Sequence, residues 1–485
     1  MSDLKTNVLY YGDNLEILRN HIPDESIDLI YLDPPFNSKR QYNIIYRETT
    51  GLESEAQIRA FTDTWTWDQS AEKTYHEIVT TAPAKVVDII SSMRSGIGSN
   101  DATAYLVMMT IRLLEFHRVL KSGGALFLHC DPSAGHYLKV VMDQVFGPRN
   151  FQNEIIWHYR GGGVSPRRFG RRHDTIFFYA KGEGWTFNVD PVREAYSEDT
   201  LERTRYKAKS FRGDKVYDAW EPHPLGKHPD DVWDIQPVMP SAKERLSYPT
   251  QKPLALLKRI ILAASNEGDV VLDPFCGCGT AIIAAHELNR RWIGIDITHL
   301  AISLMRYRLQ DSFPGVAFEV AGEPVDLAGA GALAELDRYQ FQWWADSLVG
   351  AVPLDEAKKK GADRDIDGVI SFLHDRQGKT ARAIVQVTSG KPNAKHFGSF
   401  LNRAKENAIG IYVTLVKPTR NMIRDAVSEG YYHSELWDRD YPRIQVLTIE
   451  ELLRGKLPDL PPSTYPGYAK AQKIQQKEGK QEALL

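Results

Sequence analysis

Cysteine is almost missing from this 485-residue chain, which has only Cys130, Cys276 and Cys278. Three thiols cannot form a disulfide framework. Cys276 and Cys278 have no second Cys/His pair nearby to close a structural zinc site, so no metal is expected. No run approaches the roughly 18 apolar residues of a membrane span. The N-terminus lacks the apolar core of a signal peptide, and a cytoplasmic protein without membrane contact is expected. Charge of one sign is missing too: 60 Lys+Arg against 63 Asp+Glu leave −3, which neither demands nor excludes a polyanionic partner. No internal repeat is present. The remaining composition, 42% hydrophobic and 25% charged, is that of a globular chain long enough for two or three domains.

Short apolar runs that end in Asp mark residues 8–36 and 270–297, and a further apolar run lies between them. Ser26 to Leu32 leads into Asp33-Pro34-Pro35-Phe36, Gly124 to His129 follows an amphipathic helix around Tyr105 to Leu120, and Gly268 to Asp273 precedes Arg291 to Asp296. Such runs alternating with helical segments predict buried parallel strands covered on both faces. The pattern weakens over 37–100, read as an insertion, and again over 160–245. A long irregular stretch of the latter kind inside a domain is usually functional. Ala328-Gly-Ala-Gly-Ala332 reads as a linker spanning 321–335. A second α/β segment follows over 336–455, and a Pro-rich then Lys/Gln-rich tail over 456–485 is expected to be mobile.

Two loops carry chemistry. Val270 to Asp273, then Pro-Phe275-Cys-Gly277-Cys-Gly279-Thr280, is a strand, a Gly-rich turn and an Ala/Ile-rich helix. Ile282 stands where a dinucleotide fingerprint needs its third glycine, which argues against a pyrophosphate. Asp273 suits a cationic group, and Asp296, ending the next strand, suits ribose hydroxyls. A nucleoside that lacks pyrophosphate and bears an ammonium group is S-adenosyl-L-methionine. At Asp33-Pro34-Pro35-Phe36, two prolines fix the backbone at a strand's C-terminal end, where open parallel sheets bind ligands. Asp33 and the Pro34 carbonyl can accept the two N–H bonds of an exocyclic base amino group and draw it toward tetrahedral geometry, while Phe36 stacks on the base. This is electrostatic catalysis by positioning, and it needs a base flipped from the duplex. A plain rigid turn is the bland alternative for either loop alone.

Together, Asp33-Pro-Pro-Phe36 and Asp273-Pro-Phe-Cys-Gly277-Cys-Gly279 resemble the catalytic and cofactor motifs of DNA amino-methyltransferases. Their order is that of the beta class, which includes type III modification subunits. Tyr11-Gly12-Asp13-Asn14, Arg172-His173-Asp174 to Tyr179 and Tyr248-Pro-Thr-Gln-Lys252-Pro253 extend the resemblance over about residues 7–310. It implies a Rossmann-like methyltransferase fold with an inserted target-recognition segment. It also implies S-adenosyl-L-methionine held by Asp13, Lys252, Asp273, Phe275, Gly277, Gly279, Thr280 and Asp296. Asp at the head of the catalytic motif usually accompanies adenine N6 methylation, whereas N4-cytosine enzymes more often begin with Ser. The expected partner is double-stranded DNA. A homodimer and a separate restriction subunit are compatible with the resemblance.

Arg160, Arg167, Arg168, Arg171 and Arg172 fall in an acid-free stretch with Gly161 to Gly163 and Phe169. Arginines so placed can grip phosphates or read guanine edges; a solvated charged loop is the alternative. The recognition segment that the family places next occupies about 184–245, with Trp220, His223 and Trp233. Toward the C-terminus, Asp367-Gly368, a strand, Gln386 and Lys391 are similar to Mrr-like restriction nucleases of the PD-(D/E)XK superfamily. Thr388 stands where that superfamily has its lysine, and Lys391 lies roughly 10 Å further along an extended strand. The expectation is a restriction-endonuclease-like α/β domain with impaired or absent cleavage. A single-chain enzyme that both methylates and cuts, and a DNA-binding module that has lost activity, are the competing readings.

Overall fold

The computed structural model describes residues 4–35, 66–130, 134–161, 166–167, 169–205, 210–212, 215–217, 221–239, 242, 244–246, 248, 250–353, 366–375 and 379–462. Phe36, Arg168, Trp220 and the tail beyond 462 lie outside these, as does 37–65 of the expected insertion. Among the described residues no helix is long and apolar enough to cross a membrane.

The first module is built on a nine-stranded sheet. Its strands are β1 (Val8–Tyr11), β2 (Ile27–Leu32), β3 (Leu120–Cys130), β4 (Phe151–His158), β5 (His173–Ala180), β8 (Val232–Asp234), β9 (Val270–Asp273), β10 (Arg291–Asp296) and β11 (Glu319–Ala321). Their order is β11-β1-β10-β9-β2-β3-β5-β4-β8. The six strands from β11 to β3 are parallel, as expected. β5 then runs antiparallel to both β3 and β4, so the sheet is mixed and corrects the all-parallel expectation. A small hairpin of β6 (Ser210–Arg212) and β7 (Lys215–Tyr217) stands apart from it.

Helices cover both faces. On one side lie α1 (Asn14–His21), α2 (Gln69–Thr81), α3 (Ala84–Ile97), α4 (Asp101–Val119) and α5 (Gly135–Phe146). Part of the presumed insertion is therefore helical cover for the sheet. The helix expected around Tyr105 is α4, started by Asn100, whose side chain accepts from Thr103 N at 3.1 Å. After α6 (Glu198–Arg205), the opposite face carries α7 (Leu254–Ala264), α8 (Thr280–Glu287) and α9 (His299–Ser312).

The expected linker is a helix. Residues Leu327–Leu336 form α10, capped by Asp326, because its Ala and Leu residues have a neighbour to pack on. Ala330 and Leu333 are buried in the core of the second module. α11 (Arg338–Leu348) follows directly and packs on α9, with Gln340 Oε1 accepting His299 N at 2.9 Å. The second module centres on a five-stranded sheet ordered β12-β13-β14-β15-β18. These strands are Val352–Pro353, Gly368–Leu373, Thr380–Thr388, Ile409–Thr414 and Ile444–Thr448. β13 and β14 are antiparallel, while β14, β15 and β18 are parallel. α12 (Ala394–Ala404), α13 (Arg420–Ser428), the β16–β17 hairpin (Tyr431–Ser434, Arg439–Pro442) and α14 (Ile449–Leu453) complete it.

Candidate functional site

β2 and β9 are parallel neighbours, with Leu29 opposite Val271 and Ile30 opposite Leu272. Their C-terminal ends therefore open side by side, bringing Asp33-Pro34-Pro35 next to Asp273-Pro274-Phe275 although 240 residues separate Asp33 from Asp273 in the chain. Pro34 is buried and Pro35 exposed. Asp33 Oδ2 forms a short ion pair with Lys252 Nζ, and the two side chains are only 16% and 11% exposed. Lys252, expected at the cofactor, is thus paired with the Asp33 carboxylate.

The Gly-rich turn is held from three sides. Asp296, at the end of β10, accepts Gly277 N at 2.9 Å, Thr298 N at 2.9 Å and the Thr298 hydroxyl at 2.9 Å. Burial raises its carboxyl even against these bonds. Asn14 Nδ2 donates to the Pro274 carbonyl at 2.8 Å, and Arg112 ties Asn14 to Asp13 by bonds of 2.6 and 2.8 Å. Asp13 itself caps α1 through Leu15 N. It braces the turn through Asn14, which stands in the motif quoted from the sequence, and Arg112, which sequence reasoning missed. The Tyr248 ring lies over Gly277.

Gly279 takes φ +74° to start α8, and a Cβ there would lie 2.6 Å from Met305 Cγ. It serves packing against α9. The Thr280 hydroxyl likewise accepts from Arg308 at 3.2 Å. Phe275 is half-buried at the rim.

Asp273 is the turn's buried carboxyl. Its Oδ1 accepts Phe275 N at 3.1 Å, and among the described residues no cation pairs with it. Burial pushes its carboxyl well above the usual range, with Asp33 and Asp296 adding to the effect. A ligand with an ammonium group would relieve that cost, so the donor set fits the nucleoside expected from the sequence.

Behind Asp33 lies a polar network. His129 is fully buried, its Nδ1 is 3.1 Å from the Tyr31 hydroxyl and its Nε2 is 3.4 Å from Asp174. The Tyr159 hydroxyl donates to the other Asp174 oxygen at 3.3 Å. Burial, aided by Lys252, lowers the His129 pKa and favours neutral imidazole. Burial opposes ionisation of Asp174, but the His129 hydrogen bond and the nearby charges hold its carboxyl below the ordinary value. His129 ends the apolar run Gly124 to His129 in the sequence, and its polar partners emerge only from the structure.

The arginine loop runs from the end of β4 to the start of β5, on the Asp174 side of the site. Arg160 is exposed and meets Asp234 at 3.1 Å. Arg167 and Arg171 are exposed, and Arg172 is half-buried. Phe169 is 99% exposed. Trp233, within the expected recognition segment, is core: it is buried, with Arg259 over its ring at 4.9 Å. His223 remains exposed.

In the second module Asp367 stands at the start of β13 and accepts Val387 N from β14 at 2.7 Å. Gln386 is half-buried, with a buried Oε1 that has no partner among the described residues. Thr388 ends β14, and Lys391 is exposed beyond it. Among the described residues no group of three His, Cys, Asp or Glu side chains could hold a metal ion.

A family model described as DNA methylase, of the N6/N4 type, matches residues 27–305. The Type II methyltransferase M.HpaI of Haemophilus parainfluenzae is 36% identical over 204 residues, 42% of this chain and 59% of that protein. The DNA adenine methyltransferase YhdJ of Escherichia coli (strain K12) is 28% identical over 309 residues, 63% of this chain and 83% of that protein. The chain thus spans about three fifths of the length of the first of these relatives. Among solved structures, PvuII DNA methyltransferase (cytosine-N4-specific) superposes with a TM-score of 0.37 at 16% identity, covering 64% of this chain and 88% of that one.

Proposed function

This chain belongs to the N6/N4 DNA methylase family, whose methyl donor is S-adenosyl-L-methionine, and from that premise we propose that it methylates N6 of an adenine flipped out of double-stranded DNA. The observation that carries the reading is the adjacency of the Asp33 and Asp273 loops on neighbouring parallel strands. When bound, S-adenosyl-L-methionine supplies an electrophilic methyl group on a sulfonium. Asp273 would hold the ammonium end, while Asp296, Asn14 and Arg112 keep the turn in shape for it. Asp33 and the Pro34 carbonyl accept the target N–H bonds, localise the nitrogen lone pair and orient it for in-line attack. After transfer, the nitrogen sheds one N–H proton toward the Asp33 carboxylate. Arg160, Arg167, Arg168, Arg171 and Arg172 supply phosphate or base-edge contacts to the duplex.

Adenine is preferred because Asp, and not Ser, heads the catalytic motif. Nucleoside analysis of DNA treated with labelled cofactor tests this reading. N6-methyladenine is expected, N4-methylcytosine would overturn the base assignment, and absence of label would overturn the transferase reading.

For the second module we propose a nuclease-like domain that binds DNA or a partner subunit without cutting. Thr388 in place of the lysine at the end of β14, with Lys391 exposed beyond it, supports this. Magnesium-dependent cleavage that disappears in Asp367→Ala would contradict it.

A further inference from the structure

Charge is unevenly spread in the second module. From Arg376 to Lys405 there is no acid, although the whole chain has a formal charge of −3. β14, β15 and β18 are parallel, so their C-terminal ends share one edge of the sheet. Two adjacent strands finish alike there. Thr388 and Thr414 stand opposite each other at the ends of β14 and β15. Three residues beyond each comes Lys-Pro and then a helix N-cap: Lys391-Pro392-Asn393 before α12, and Lys417-Pro418-Thr419 before α13. The same basic turn is built twice, from roots about 4.8 Å apart, the spacing of paired strands.

Each turn starts a helix whose first turn holds basic residues, Lys395 and His396 in α12 and Arg420 in α13, and no acid. Positive side chains there oppose the helix dipole and cost stability. α14, which starts from β18 at the same edge, has the stabilising arrangement, with Glu450 and Glu451 in its first turn. Those acids are matched by Arg454 and Lys456, and Asp367 accepts Val387 N. At the other edge, Arg382 bonds Asn407 and Lys405 bonds Glu429. Lys391, Lys395, Lys417 and Arg420 are exposed, and among the described residues none of the four has an ion pair. A local rule broken at two neighbouring turns, with no partner in the chain, points to an external polyanion.

We propose that this edge of the second module is a DNA contact surface, at which the two Lys-Pro turns and the helix starts behind them grip neighbouring phosphates of a duplex backbone. The inference deepens the reading of the second module as a domain that binds DNA without cutting, and rests on it. Phosphate contacts position a protein and carry no base preference. The surface therefore adds affinity and leaves the choice of sequence to the first module.

The test uses the full-length protein and a fluorescein-labelled duplex, with anisotropy read over roughly 50 to 200 mM salt. A combined variant carries Lys391→Ala, Lys395→Ala, Lys417→Ala and Arg420→Ala. Its slope of log affinity against log salt should be shallower than wild type by about two, with affinity near the middle of that range down about tenfold or more. Its melting temperature should not fall, since basic residues leave two helix starts. Lys391→Ala with Lys417→Ala, outside both helices, should lose about half of that slope, whereas Lys391→Arg with Lys417→Arg should keep the wild-type slope. Unchanged slope and affinity in both alanine variants would overturn the proposal. So would a combined variant that loses binding to polyglutamate but keeps its grip on the duplex, which would assign the edge to an acidic protein. Magnesium-dependent cutting of the same duplex, lost in Asp367→Ala, would instead overturn the non-cutting reading and leave the phosphate contacts standing.

Discussion

Asp273 concentrates the conflict between stability and ligand binding in one side chain. Buried without a cation, its carboxyl is pushed well up, so the ionised form costs stability that a bound ammonium would return. Asp273→Asn should therefore raise the melting temperature of the cofactor-free protein at pH 8 by about 2 °C or more while weakening cofactor binding at least tenfold. The thermal gain should shrink as pH falls through the raised folded pKa, because the wild-type carboxyl then becomes neutral. A melting temperature unchanged at pH 8 would contradict this account. Asp273 could be singled out from the sequence because an acid at the end of an apolar strand signals a ligand. The brace Arg112 could not, since a mid-helix Arg has ordinary structural uses. The sequence places Asp296 and Asp13 at the cofactor, whereas their backbone and arginine partners emerge only from three dimensions.

At the scale of elements, the start of α8 depends on a left-handed residue packed against α9. Gly279→Ala adds a Cβ 2.6 Å from Met305 Cγ at a φ of +74°, so it should cost more than about 1 kcal/mol in urea unfolding and weaken cofactor binding as the turn shifts. Unchanged stability would contradict the packing role. The parallel strands β2, β9 and β10 were legible because each is an apolar run closed by Asp. The reversal of β5 was not, since His173–Ala180 is as apolar as its neighbours and strand direction leaves no mark in composition. The helix α10 was misread as linker because Gly329 and Gly331 suggest flexibility, whereas tertiary packing of Ala330 and Leu333 outweighs that propensity.

Across the whole molecule, the two modules meet where α11 packs on α9. There His299 is buried beside Glu323, stacked on Tyr11 with ring centroids 3.6 Å apart, and its backbone N–H is capped by Gln340. Burial lowers the His299 pKa, so below about pH 6.5 the unfolded chain binds the proton that the folded one resists, and stability is lost as pH falls. His299→Gln, which cannot titrate, should lose less stability than wild type between about pH 7.5 and 5.5 in thermal melts; parallel curves would contradict this. That joint ties α9, which follows β10, to the second module, a contact the sequence conceals because 321–335 reads there as a linker. The proposed methyl transfer requires two chain segments, distant in sequence, to form one reaction centre. Single-turnover methyl transfer to duplex DNA by Asp33→Ala at saturating S-adenosyl-L-methionine tests it most directly. Loss of a preorganised acceptor predicts a rate reduced by about a hundredfold or more, whereas transfer at the wild-type rate would contradict the account.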